Sequence, residues 1–201
     1  MKITNLKQGV KNPERVNVFV DGAFSFSLDV AQVVEFKLKV GMEISEEQLA
    51  EYKNASDFGK LYQRALEWVL VRPRSKKEAN DYLYKKIYEK KLNKDYIDLI
   101  INKLKNKNYL NDLSFAEWYV ENRFVKKGIS RKRLKLELMQ KGLPEEIISE
   151  VLDKRNDEEE IKKIIAKKRS KYDDEKLISY LCRQGFSFEL ARNLVQTFET
   201  D

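Results

Sequence analysis

Three segments with one shared spacing constrain this chain more than anything else in it. Ser75, Ser130 and Asp173 each stand where a helix N-cap would, and eight residues after each comes a leucine, Leu83, Leu138 and Leu181. The side-chain oxygens of such caps accept backbone N–H groups that have no partner at a helix start. Gly142 and Gly185 follow the second and third leucines by four residues and suit helix C-termini, whereas the first copy runs on to Lys91-Leu92. A further helix then opens in every copy, with apolar positions at Ile100-Ile101, Val151-Leu152 and Leu194-Val195. Ahead of each capped helix lies another, over Phe58 to Val71, Asp112 to Lys127 and Asp157 to Ser170. The unit is three helices, used three times.

Helices this short bury little alone, so packing between neighbouring units has to supply part of the stability. Tyr109-Leu110-Asn111-Asp112 and Arg155-Asn156-Asp157 mark the junctions, and no Gly- or Ser-rich linker separates the units. A semi-rigid array is expected. Leu61, Ala65, Trp68 and Val69 form an apolar stripe that ends at Arg72-Pro73-Arg74, because proline disfavours helix at the residue before it. In the middle unit Leu134, Leu136, Leu138 and Met139 are expected to form the apolar side.

Residues 1–44 differ. Val16, Val18 and Val20 alternate with Asn17 and Phe19, Asp21-Gly22 supplies a type I′ turn, and Phe24, Phe26 and Leu28 alternate with Ser25 and Ser27. This predicts a hairpin, with a third strand over Ile3 to Leu6 and a short helix within Asp29 to Phe36. Its aromatic residues read either as core or as a base-stacking platform. From Ser45, with Gln48 in place for a capping box, the period changes to about 3.6. The expected fold class is mainly α: a tandem array of three three-helix repeats, elongated and curved, preceded by a small β-hairpin-containing segment. The expected boundaries are 1–44 for that segment and 45–110, 111–155 and 156–201 for the repeats.

Composition narrows function. The 201 residues contain no histidine, which excludes a Ser-His-Asp triad, a His-assisted cysteine nucleophile and His-ligated metal. Cys182 is the single cysteine, read as a small core residue; one cysteine permits no internal disulfide and fits a reducing compartment. No apolar run approaches the length of a bilayer span, and the mean hydropathy is −0.64. A cytoplasmic protein with no membrane contact is expected. Asp173-Asp174, Asp95 with Asp98, and Glu158-Glu159-Glu160 fall at helix starts or on exposed faces, and no nucleotide-binding glycine loop is present. No catalytic residue, metal or cofactor is expected.

With 40 Lys and Arg against 33 Asp and Glu, the net charge is +7, and the cations cluster in register with the repeat. Arg72, Arg74, Lys76 and Lys77 start the first capped helix. Lys126, Lys127, Arg131, Lys132, Arg133 and Lys135 surround the second, and Lys167, Lys168, Arg169 and Lys171 precede the third. Two readings stand: solvated faces, or a basic stripe that tracks a phosphate backbone or a charged groove in a protein filament. Cations at a helix N-terminus oppose the helix dipole, which points towards an anionic partner.

Several of these motifs carry a family likeness. Arg72-Pro73-Arg74-Ser75-Lys76-Lys77-Glu78, Tyr109-Leu110-Asn111-Asp112 with Phe115-Ala116, Lys127-Gly128 to Arg133 with Leu138 and Lys141-Gly142, and Leu181-Cys182-Arg183-Gln184-Gly185-Phe186 resemble the RecX regulatory proteins of bacteria. The hairpin with Asp21-Gly22 is similar to the extra β-rich segment of some Gram-positive members. The resemblance implies a non-catalytic regulator, a monomer that lodges in the groove of the RecA filament on single-stranded DNA. It implies that the protein mainly inhibits recombination and ATP hydrolysis in DNA repair and the SOS response, with contact to single- or double-stranded DNA as well. The residues read alone leave a direct DNA- or RNA-binding helical module as the alternative, and a scaffold for other helices behind it.

Overall fold

The computed structural model describes residues 1–10 and 12–198, leaving out the side chains of residues 124–127. Among the described residues a three-stranded antiparallel sheet precedes ten helices. The chain is mainly α, as the change of period at Ser45 predicts. It divides into two compact units, Met1–Leu70 with Tyr82–Lys103, and Val71–Asp81 with Leu104–Asp201.

In the first unit the strands β1 (Ile3–Gln8), β2 (Arg15–Val20) and β3 (Ala23–Asp29) lie in that order. Asp21 and Gly22 both have positive φ, 48° and 85°, which the two-residue turn joining twisted strands requires. Pairing of Val18 with Phe26 and Val16 with Leu28 fixes the register. One face then carries Ile3, Val18, Val20, Phe26 and Leu28 into a core shared with Leu38, Ile44 and Tyr52. Helix α1 (Val30–Glu35) starts with a reciprocal cap, in which Asp29 Oδ1 accepts the Gln32 N–H at 2.7 Å and Gln32 Oε1 accepts the Asp29 N–H at 3.1 Å. Ser45 and Gln48 repeat the device at α2 (Glu46–Val71). Helix α2 buries Leu61, Ala65 and Val69, and Trp68 stacks on Tyr82 with ring centroids 4.5 Å apart. Helices α3 (Lys76–Lys90) and α4 (Tyr96–Asn106) follow, the start of α3 up to Asp81 grouping with the second unit.

In the second unit α5 (Asp112–Lys127), α6 (Arg131–Gln140) and α7 (Glu145–Asp153) enclose Phe115, Leu134, Leu138, Ile148 and Leu152. Helices α8 (Asp157–Lys168), α9 (Asp174–Arg183) and α10 (Phe188–Thr197) enclose Ile161, Ile165, Leu177, Leu181, Ala191 and Val195. All three predicted caps form: Ser75 Oγ accepts the Glu78 N–H at 3.1 Å, Ser130 Oγ that of Arg133 at 3.2 Å, and Asp173 Oδ1 that of Lys176 at 2.9 Å. The leucines eight residues on are fully buried. Two expectations need correction. Leu136 and Met139 lie outside the apolar side of α6, 53% and 51% exposed. Leu134 and Leu138, four apart, share the buried face, whereas residue 136 sits about 200° round the helix from Leu134. Cys182 is only half-buried.

The junctions within this unit repeat as well. Ser75 Oγ donates to the Lys141 carbonyl at 2.8 Å, so the end of α6 lies on the start of α3, while Asp112 Oδ1 accepts the Lys76 N–H at 2.7 Å. One repeat later the Ser130 N–H donates to the Gln184 carbonyl at 3.1 Å, and Asp157 Oδ1 accepts the Arg131 N–H at 2.7 Å. Each of these helix starts is thus capped by its own serine and by the aspartate that opens the next helical triplet. The acid that the helix dipole calls for comes from the chain itself. This is the neighbour coupling that short helical repeats rely on.

Candidate binding surface

At the start of α3, Arg72 grips Glu78 with both terminal nitrogens, at 3.0 and 3.3 Å, and its guanidinium lies 5.0 Å from the Trp118 ring centroid. Lys141 Nζ donates to the same carboxylate at 2.8 Å. Burial alone would raise the Glu78 pKa; hydrogen bonds from Arg72 and Lys141 outweigh it and hold the carboxyl below its ordinary value. Burial, with Arg72 nearby, lowers the Arg74 pKa. Lys77 pairs with Asp81 at 3.2 Å, one helical turn on.

At α6, Glu137 is the hub. It accepts from Arg123 Nε at 2.8 Å and Nη2 at 2.6 Å, from the Tyr119 hydroxyl at 2.9 Å, and from Arg133 Nε at 3.4 Å. Arg133 Nη1 also donates to the Arg183 carbonyl at 2.6 Å. Lys135 pairs with Glu145, and Arg131 reaches Asp153 at 3.6 Å. The side chains of Lys126 and Lys127 lie outside the described residues. Burial would raise the Glu137 pKa, but the bonds from Arg123 and Tyr119 bring it below the ordinary 4.5. The unfolded chain therefore takes up this proton more readily than the folded one. The stabilisation is complete above the unfolded value and is lost as pH falls through the lower folded value. Replacing Glu137 by glutamine is expected to cost about 1–2 kcal/mol at neutral pH, with partial solvation of both arginines limiting the loss. It should also flatten the acid limb of a melting-temperature-against-pH curve; an unchanged limb would place acid sensitivity elsewhere.

Before α9, Arg169 pairs with Asp174, and Lys168 Nζ sits 5.1 and 4.5 Å from the ring centroids of Tyr172 and Tyr180. The expected stripe is therefore not uniform: Lys77, Arg131 and Lys135 make exposed ion pairs, and two further groups stand apart. Arg72, Arg133 and Arg169 brace the chain internally. Lys76, Lys132 and Lys167 are exposed and, among the described residues, have no ion-pair partner. Sequence reasoning gave no bracing role to the carboxylates Glu78 and Glu137; Glu160 lies in the first helical turn as expected, and is buried beside Arg155 at 3.3 Å and Lys163 at 3.6 Å. A glutamate three residues after the Ser75 cap was the one visible signal.

A cleft of about 860 Å³ in the first unit, lined by Arg15, Phe58 and Lys103, includes none of the candidate cations, and Glu14, Asp29 and Glu35 outnumber its two cations. Among the described residues no three Asp, Glu or Cys side chains group to hold a metal, and no helix is long and apolar enough to cross a membrane.

Comparison with known proteins fits this architecture. A family model described as the regulatory protein RecX N-terminal domain matches residues 1–45, the sheet and α1. A second, described as the RecX second three-helix domain, matches residues 111–152, the α5–α7 triplet. Regulatory protein RecX of Listeria monocytogenes serotype 4a is 33% identical over 202 residues, spanning 96% of this chain and 74% of the relative. The chain belongs to the RecX family. Regulatory protein RecX of Bacillus pumilus is 32% identical, over 96% of this chain and 76% of its own length. A crystal structure of regulatory protein RecX superposes with a TM-score of 0.71 over 100% of this chain and 99% of its own, at 23% identity, and so supports the RecX fold. RecX from Lactobacillus salivarius gives 0.58 over 73% of this chain and 99% of its own, at 27% identity.

Proposed function

We propose that this protein is a non-catalytic, cytoplasmic regulator that binds the RecA filament on single-stranded DNA and mainly inhibits its recombinase and ATPase activities. Membership of the RecX family, with likeness to relatives over 96% of the chain, carries this proposal. The protein acts as a monomer without cofactor. A segment at 1–44 and helical domains at 45–110, 111–155 and 156–201 present its surface. Lys76, Lys132 and Lys167 meet the filament, and the arginines hold the helix starts in shape for them.

The same unpaired lysines would suit bare phosphates, which favours direct DNA or RNA binding as a second reading. Co-sedimentation with RecA filaments separates the two. A filament regulator stays in the pellet when excess bare single strand is added, and a strand binder is stripped from it. Complete release by competitor strand would replace the first reading with the second.

A further inference from the structure

The exposed side of α6 differs from that of its counterparts in a way the fold does not require. Lys132, Leu136 and Met139 fall at i, i+4 and i+7, which puts them on one stripe, with Lys135 alongside. Leu136 and Met139 are about half exposed. The repeat supplies an internal control. Counting from the N-cap, the position of Leu136 is held by Asp81 in α3 and Ser179 in α9; that of Met139 is held by Tyr84, likewise about half exposed, and by Cys182, so the difference lies at Leu136. The buried positions, Leu134 and Leu138, correspond to Ala79 and Leu83 and to Leu177 and Leu181, all in the core. A position that accepts aspartate or serine elsewhere in the repeat does not hold leucine at 136 for the sake of packing.

Next to this stripe runs a groove of about 340 Å³ between α6 and α7, walled by Arg131, Lys132, Lys135 and one carboxylate, Glu145, and floored by Ile148 and Leu152. The surface thus combines exposed leucine and methionine with cations, one of which, Lys132, has no ion-pair partner among the described residues. Phosphate oxygens gain nothing from leucine or methionine. Protein interfaces do: methionine and aromatic side chains are enriched in their cores, with charge kept to the rim.

Resting on the filament reading above, we infer that this face of α6 docks on protein, on an apolar patch bordered by carboxylates, and not on the nucleic-acid backbone. Lys132 then matches the acidic border, since Lys135 is already held by Glu145, and Leu136 with Met139 fills the apolar centre.

The test compares the full chain with Leu136→Ser/Met139→Ser, measuring binding to RecA filaments and to bare single-stranded DNA at one salt concentration. The double variant leaves every charge in place. Leu136→Ser alone copies the residue that the third repeat carries at this position, so it guards against a folding defect. The double variant is expected to bind filaments about tenfold or more weakly, Leu136→Ser to shift the same way, and bare strand to bind both variants as it binds the parent. Filament binding equal to the parent overturns this inference and leaves the regulator intact. Equal losses on filament and bare strand overturn it in favour of nucleic acid. A parent chain that does not bind filaments at all overturns both.

Discussion

Replacing Gly185 with alanine is expected to lower the free energy of unfolding by about 2–4 kcal/mol. Two costs combine there. The backbone sits at φ +94°, where a Cβ is strained, and that Cβ would come within 2.6 Å of Ser130 Oγ and 3.0 Å of Arg133 Cβ. Ser130 is the cap of α6 and donates its N–H to the Gln184 carbonyl, so the substitution separates the end of α9 from the start of α6. Gly22 is the control. It has a similar φ, +85°, but nothing lies within 4 Å of where its Cβ would stand, so Gly22→Ala should cost only about 1 kcal/mol. Urea unfolding of the two variants measures the difference. Equal losses would mean that the junction between triplets adds nothing beyond backbone strain.

Reversing Lys76, Lys132 and Lys167 to glutamate is expected to weaken filament binding on the order of a hundredfold at low salt, with unfolding changed by no more than about 1 kcal/mol in total. These side chains make no ion pair among the described residues, so the fold does not depend on them. Reversal of Arg133 would be a poor test of binding. Its guanidinium holds Glu137 and the Arg183 carbonyl, and the variant would lose stability for reasons unrelated to a partner. Titration of filament affinity against salt for parent and variant decides the matter: an unchanged affinity would return all the basic clusters to solvated faces.

What could be read from the sequence was what nearby residues determine. The Asp21-Gly22 turn, the caps at Ser45, Ser75, Ser130 and Asp173, and the leucines eight residues after the repeat caps depend on neighbours within a turn or two, and all formed. Leu136 and Met139 were misplaced because two apolar pairs compete on this short helix, Leu134 with Leu138 and Leu136 with Met139, each at one-turn spacing, and spacing does not declare which face packs.

The charges were harder. Arg131, Lys132 and Arg133 at a helix start suggest a missing anion, and the anion proved to be Asp157, 26 residues downstream. The Lys76 backbone N–H meets Asp112 across 36 residues, and the Lys141 ammonium meets Glu78 across 63. Separations of that size are set by tertiary packing, so no local spacing reveals them. The cationic clusters were visible as composition, but their division into bracing arginines and exposed lysines was not.

RecA ATPase on single-stranded DNA, followed as the protein is titrated in, tests the central claim most directly. A filament regulator is expected to suppress hydrolysis at or below one chain per RecA protomer, with the suppression persisting when excess single strand is present. Hydrolysis that stays unchanged up to a clear molar excess of the protein, or that recovers fully with added strand, would contradict it.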